Sequence, residues 1–192
     1  MIKFGIMKKY VFPILVIFSV LVLNACGSGQ QETSQEAEAN QKKKTAKIKL
    51  EVPNFDTTKI SKADIEVLVS PYLSLKDAFV ASNAERSQKL AEELANVIQN
   101  EALQAVKADA QAIQQSNDLE SQRLSFYQLS AKIFFLVKNI GGNKEPLYQQ
   151  YCPMAFSDQG AYWLSKEDKI RNPYFGDEML TCGIVNETLA VK

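Results

Sequence analysis

The sequence predicts a mostly α domain, an antiparallel bundle of three or four helices followed by a small C-terminal β-hairpin and loop module. Three observations carry that prediction. Between Ile65 and Ile140 apolar residues recur at spacings of three and four, the mark of one buried face per helix. Polar breaks with capping chemistry divide the stretch, and connections this short join antiparallel neighbours. After Gly141-Gly142 the helical period is lost, and short apolar runs alternate with turn signals.

The 192-residue chain begins with a segment of a different kind. Lys8 and Lys9 precede an apolar run from Tyr10 to Leu23, with Met7 a plausible true start, and Leu23-Asn24-Ala25-Cys26 then sets small residues before a cysteine. This reads as a signal peptide over residues 1–25. The rival reading, a membrane-spanning helix, meets a run short of the ~20 residues a span needs and interrupted by Pro13. Because the cleavage site abuts Cys26, it resembles a bacterial lipobox. Cys26 would then be the acylated first residue of a periplasmic lipoprotein, anchored through its lipid in the inner or outer membrane.

Loss of Lys3, Lys8 and Lys9 with the leader leaves 19 basic against 22 acidic residues. A mildly acidic chain recruits no nucleic acid, whose phosphates need clustered Lys and Arg on a folded face. The one basic cluster, Lys42-Lys43-Lys44 with Lys47 and Lys49, falls in a polar stretch after Cys26 and reads as solvation of a tether rather than a lipid-headgroup contact. Residues 26–47 carry no aromatic residue and no periodic apolar position, so they are expected to be a disordered linker spanning ~25 Å. Residues 48–192 are left for one core.

Within that domain Ile48, Leu50 and Val52 alternate with charged residues, an extended piece expected to pair with the C-terminal module. Ser61 with Asp64 three residues on marks a helix start. The stripe Ile65, Leu68, Val69, Tyr72, Leu75 and Phe79 follows, with Pro71 expected to kink or divide the helix. Asn83 caps a second stripe of Leu90, Leu94, Val97, Ile98 and Ala105, opposite a solvated face of Glu85, Arg86, Lys89, Glu92 and Glu93. Alanine-rich sequence to Gln115 fits one long helix or two with a bend. Ser116-Asn117-Asp118 is a break, and the stripe Phe126, Leu129, Ile133, Val137 and Ile140 ends at Gly141. Then Leu147 to Cys152 reads as a strand, Ala155 to Gly160 as a turn and Ala161 to Leu164 as the partner strand. Asn172-Pro173 marks another turn, and Gly176 to Leu180 one helical turn that Gly183 ends.

Absent residues exclude much chemistry. The chain has no histidine, hence no histidine triad, imidazole ligand or histidine base. It has no glycine-rich phosphate loop and no carboxylate pair in apolar sequence of the kind a general acid needs. An enzyme is not expected. The one constellation with chemical potential lies between Tyr151 and Val185, which holds Cys152, Cys182, two of the four methionines and the single tryptophan. Cys152 and Met154 lie two apart, Met179 and Cys182 three apart, so each pair can point one way. Thiolate and thioether are soft donors that favour Cu(I) or a similar soft ion over Zn(II). Cys152, Met154, Met179 and Cys182 are therefore candidate metal ligands. An exported protein with two remaining cysteines usually joins them as a disulfide, which would exclude the metal, and two separate buried thiols are the third reading. Met154 and Met179 also fit as gap-filling core residues. Tyr151, Tyr162, Trp163, Tyr174 and Phe175 read as packing, with Trp163 a possible shield over a copper site. Asn172 and Arg171 read as cap or bridge of their turn, not as ligands.

The runs QYCPMA, AYWLS, IRNPYFG and MLTCG, with LESQRLSFYQLSAKIFFLVK and more loosely PYLSLKDAFVAS before them, resemble a bacterial family called domain of unknown function 3347. The resemblance spans roughly Ile60 to Val185. It implies an exported protein, often a lipoprotein, similar to a domain fused to the periplasmic adaptor subunits of heavy-metal efflux pumps. It lends a location and a metal-handling neighbourhood, and no mechanism. The expectation is a lipid-anchored periplasmic protein that binds a soft metal or serves heavy-metal efflux components. The alternative is a structural interaction module with a Cys152–Cys182 disulfide and no metal.

Overall fold

A computed structural model of the chain describes residues 47–192. The expected signal peptide, Cys26 and nearly all of the linker lie outside the described residues. Four helices follow one another: α1 (Lys62–Val80), α2 (Ala84–Val97), α3 (Gln104–Gln115) and α4 (Leu119–Ile140). Three strands complete the domain: β1 (Leu147–Cys152), β2 (Ala161–Ser165) and β3 (Ile184–Leu189). The sequence thus folds as a mostly α bundle with a small C-terminal antiparallel sheet.

Capping fixes the helix starts. At Ser61 the side chain accepts from Asp64 N–H, and the Asp64 carboxylate accepts from Ser61 N–H at 2.8 Å. Asn83 and Asp118 cap α2 and α4 from one side only, their side chains accepting from Arg86 N–H and Ser121 N–H. The α1 helix runs unbroken through Pro71, so the expected division does not occur. Proline removes the donor for the Val67 carbonyl, and Val67 is 49 % exposed, where water can supply one. The long alanine-rich stretch is two helices. Its chain leaves α2 at Ile98 and restarts through a short 3-10 turn at Glu101–Leu103, capped by Asn100. Val97, read as part of the buried stripe, is exposed because it sits at this break. At Gly141 a φ of 99° ends α4, a conformation glycine adopts without a Cβ penalty.

Each helix packs on the next, and α4 also packs against α1 and β2. Its stripe, Phe126, Leu129, Ile133 and Val137, is the spine of the core. Between α3 and α4 the core also holds a buried ion pair the pattern did not reveal, Lys132 with Asp109 at 2.6 Å. Burial pushes the Asp109 carboxyl upward despite that partner.

The sheet order is β2-β1-β3, antiparallel throughout. The hairpin of β1 and β2 is the expected one, with Cys152 opposite Ala161. Its connection includes Phe156, Ser157 and Asp158 at φ of 52°, 57° and 64°, a left-handed turn rare for residues with side chains. Strand β3 was not expected. It pairs with β1 across an irregularity at Gln149/Gln150, and its Ile184 and Val185 are exposed. The segment from Ile48 to Val52 does not join the sheet. Gln128 of α4 clamps it instead, donating to Lys49 O and accepting from Glu51 N–H, both at 2.8 Å. Ile48 N–H reaches the hairpin connection, at Gln159 Oε1.

Candidate functional site

The site forms where the end of β1 meets the loop that leads into β3. Cys152 closes β1 and is fully buried, while Cys182 is half-buried just before Gly183. Their Sγ atoms stand 2.7 Å apart across thirty positions of chain. Both are free thiols in this structure.

Asn172 makes that approach possible. It is fully buried, and its four polar groups are all bonded within one loop. Its N–H donates to Leu180 O at 2.8 Å and its carbonyl accepts from Gly176 N–H at 3.0 Å. Its side-chain Nδ2 donates to Cys182 O at 2.9 Å, and Oδ1 accepts from Tyr174 N–H at 2.8 Å. The loop is thereby folded back so that Cys182 lies over the end of β1. Replacing Asn172 by alanine would strand buried donors and acceptors, each costing ~1–3 kcal/mol. The Asn172→Ala variant is expected to lose about 3 kcal/mol of stability, measured by urea unfolding.

Aromatic rings form the floor. Trp163 packs edge-on against Tyr174 at 5.8 Å, and the Tyr174 hydroxyl donates to Tyr162 O at 2.6 Å. Gly183, at φ 147°, lets the loop pass over the indole. A Cβ there would come within 2.9 Å of Tyr151 O and 3.1 Å of the Trp163 ring.

Burial first, and then the Cys152 thiol beside it, push the Cys182 thiol up from an ordinary 9.0 to about 11. Near neutral pH it is protonated in all but roughly one molecule in ten thousand, so it is a poor nucleophile. The folded state holds this proton more tightly than the unfolded chain does. The reduced protein is therefore expected to lose stability as pH rises from about 9 through about 11, and to keep it below 9. The oxidised protein, which has no thiol to titrate, should lack that component; chemical denaturation of both forms across this range measures the difference.

The structure brings two of the four candidate ligands together at the sulfur. Met154 is 46 % exposed, and it is its backbone N–H that bonds the Cys182 thiol. Met179 is half-buried and gives its carbonyl to Cys182 N–H at 3.0 Å. A shared ion fits this spacing poorly. Two sulfurs on a tetrahedral ion with bonds of ~2.3 Å stand ~3.8 Å apart, well beyond 2.7 Å. Among the described residues no three Cys, Asp or Glu side chains are grouped to hold a metal. No helix of the described residues is long and apolar enough to cross a membrane.

Fold and site together define a helical-bundle scaffold with a small sheet module gathered around a cysteine pair. Residues 68–145 match the model of a family described as protein of unknown function (DUF3347). That match covers the bundle from α1 to the approach of β1 and reaches neither cysteine. The chain matches no curated protein and no solved structure.

Proposed function

We propose that this chain is a non-enzymatic, lipid-anchored protein of the bacterial envelope whose C-terminal module is closed by a Cys152–Cys182 disulfide and serves as an interaction scaffold beside heavy-metal efflux components. The observation that carries the reading is the 2.7 Å approach of the two sulfurs. Closure transfers both thiol protons to solvent and two electrons to a more oxidising disulfide by exchange, the chemistry available outside the cytoplasm. A pair so poor in thiolate at Cys182 suits a lasting structural bond rather than a shuttle that must open and close. The lipobox pattern at Cys26 supports the anchor, and the absence of histidine supports a role without catalysis.

The Cu(I) reading rests on the soft donor chemistry of Cys152, Met154, Met179 and Cys182. It requires the reduced pair and a wider sulfur spacing. Alkylation of the protein under denaturing, non-reducing conditions, followed by mass measurement, separates the two. No alkylated cysteine among Cys152 and Cys182 supports the scaffold. Two alkylated cysteines, with stoichiometric Cu(I) uptake by the reduced protein that the Cys152→Ser variant loses, would establish the metal site in its place.

A further inference from the structure

From Ile48 to Phe55 the chain is stretched along α4. Glu51 meets Gln128, and Phe55 stacks on Phe135 at 5.7 Å. From Gln128 to Phe135 the helix rises ~10.5 Å, so each residue from Glu51 to Phe55 advances ~2.6 Å, nearer a strand's step than a helix's. Gln128 also bonds the segment as a strand would. Its side-chain amide donates to Lys49 O and accepts from Glu51 N–H, the two groups that one residue of a parallel neighbour engages.

That pairing sets what the other side offers. Consecutive residues of an extended chain turn their N–H and C=O groups to opposite sides, so Leu50 and Val52 turn theirs away from Gln128. Ile48 shares their side, and its N–H reaches Gln159 of the hairpin connection. Among the described residues nothing bonds the N–H or C=O of Leu50 or Val52. Pro53, which has no donor to give, falls on the Gln128 side, so the free side loses none. Leu50 and Val52 also line a groove whose floor includes Tyr127 and Ala131 of α4, with Gln149 and Asn186 of the sheet beyond.

We propose that residues 50–52 are a docking strand: an extended segment of a partner protein lies in the groove and pairs its backbone with Leu50 and Val52. Free donors and acceptors that recur every second residue, ~6.6 Å apart, match the ladder of another extended chain. A helix bonds its amides within itself and would leave these groups unpaired. The partner segment carries apolar residues at alternate positions, to rest on α4, and no proline where it meets Leu50 and Val52. The inference rests on the scaffold reading, whose partner it names, and not on the state of the cysteines.

The probe is a library of random ten-residue peptides displayed on phage and selected against the full chain. Enrichment of alternating, proline-free sequences is expected. The most enriched peptide, made synthetically, should slow hydrogen exchange at the Leu50 and Val52 amides and leave the Glu51 amide, already bonded, unchanged by nuclear magnetic resonance. Val52→Pro removes a donor that bonds nothing in the free protein and should weaken the peptide about ten-fold, the effect of one backbone bond left unmade. Ala131→Phe, which fills the floor, should weaken it at least as much. Melting curves establish that both variants fold, and Val52→Pro, which breaks no bond of the free protein, decides by itself. No enrichment, unchanged exchange at Leu50 and Val52, or binding that the folded Val52→Pro variant keeps would overturn the proposal. Protection of the β3 amides instead would overturn it and assign the peptide to the sheet edge. Self-association of the chain that Val52→Pro abolishes would overturn it and give the strand to a second copy. The cysteine bond is scored by mass in the same sample, so failure of the peptide on disulfide-bonded protein overturns this inference alone.

Discussion

Reduction of the Cys152–Cys182 bond is expected to lower the melting temperature of the domain by about 10 °C. A crosslink closing a loop of thirty residues removes about 3.5 kcal/mol of conformational entropy from the unfolded chain in the loop-closure model. For a domain of this size each kcal/mol shifts the midpoint by ~2–4 °C. The folded state has little to rearrange, because Asn172 already holds Cys182 over the end of β1 without the covalent bond. Scanning calorimetry of the oxidised protein, the reduced protein and the Cys152→Ser/Cys182→Ser variant measures the effect. The last two should melt together and well below the first. Equal melting of all three would show that no bond forms or that it constrains nothing.

Phe126→Ala is expected to cost about 4 kcal/mol, the largest loss from a single substitution proposed for this chain. Phe126 is fully buried in the middle of α4, with ring centroids 5.4 Å from Tyr72, 4.8 Å from Phe79 and 5.9 Å from Tyr174. Two of those rings belong to α1 and the third to the loop that carries the cysteine site. No neighbour can swing into the space without giving up contacts of its own. Tyr72, for instance, is fixed by accepting from Leu164 N–H at 3.0 Å and by its hydroxyl contact with Ser130 at 2.9 Å. Urea unfolding should show a lower midpoint with an unchanged slope. Leu124→Ala, two residues away but 38 % exposed, is the control and should change stability by less than ~0.5 kcal/mol.

The parts of this fold that show plainly in the sequence are those set by local rules. The Ser61 and Asp64 spacing specifies a capping box, the α4 stripe specifies its buried face, and the β1–β2 hairpin follows from its alternation and turn residues. What does not show depends on partners distant in sequence. Strand β3 keeps Ile184 and Val185 in water, so its apolar pattern gives no sign of a buried face. Residues 48–52 have a strand-like alternation, yet a single glutamine side chain from α4 supplies the bonds a neighbouring strand would have given. Pro71 breaks a rule at a position where solvent can compensate. At the site, the meeting of Cys152 and Cys182 is legible in their isolation, two cysteines of a domain that the sequence holds to be exported. The exposure of Met154 was not, because it follows from how Pro153 and the left-handed turn after it aim the backbone. In the sequence Asn172 reads as a cap or bridge of its turn. Its command of the whole loop from Leu180 to Cys182 could be seen only once the loop was closed.

A bond between Cys152 and Cys182 in the native protein is the feature on which the proposed function depends. Proteolysis of the protein isolated from its native cells, with thiols blocked at lysis and no reductant, would decide it by mass spectrometry. The expected product is one crosslinked peptide pair containing both cysteines, which separates on reduction. Recovery of the two peptides singly, each carrying the blocking group, would contradict it.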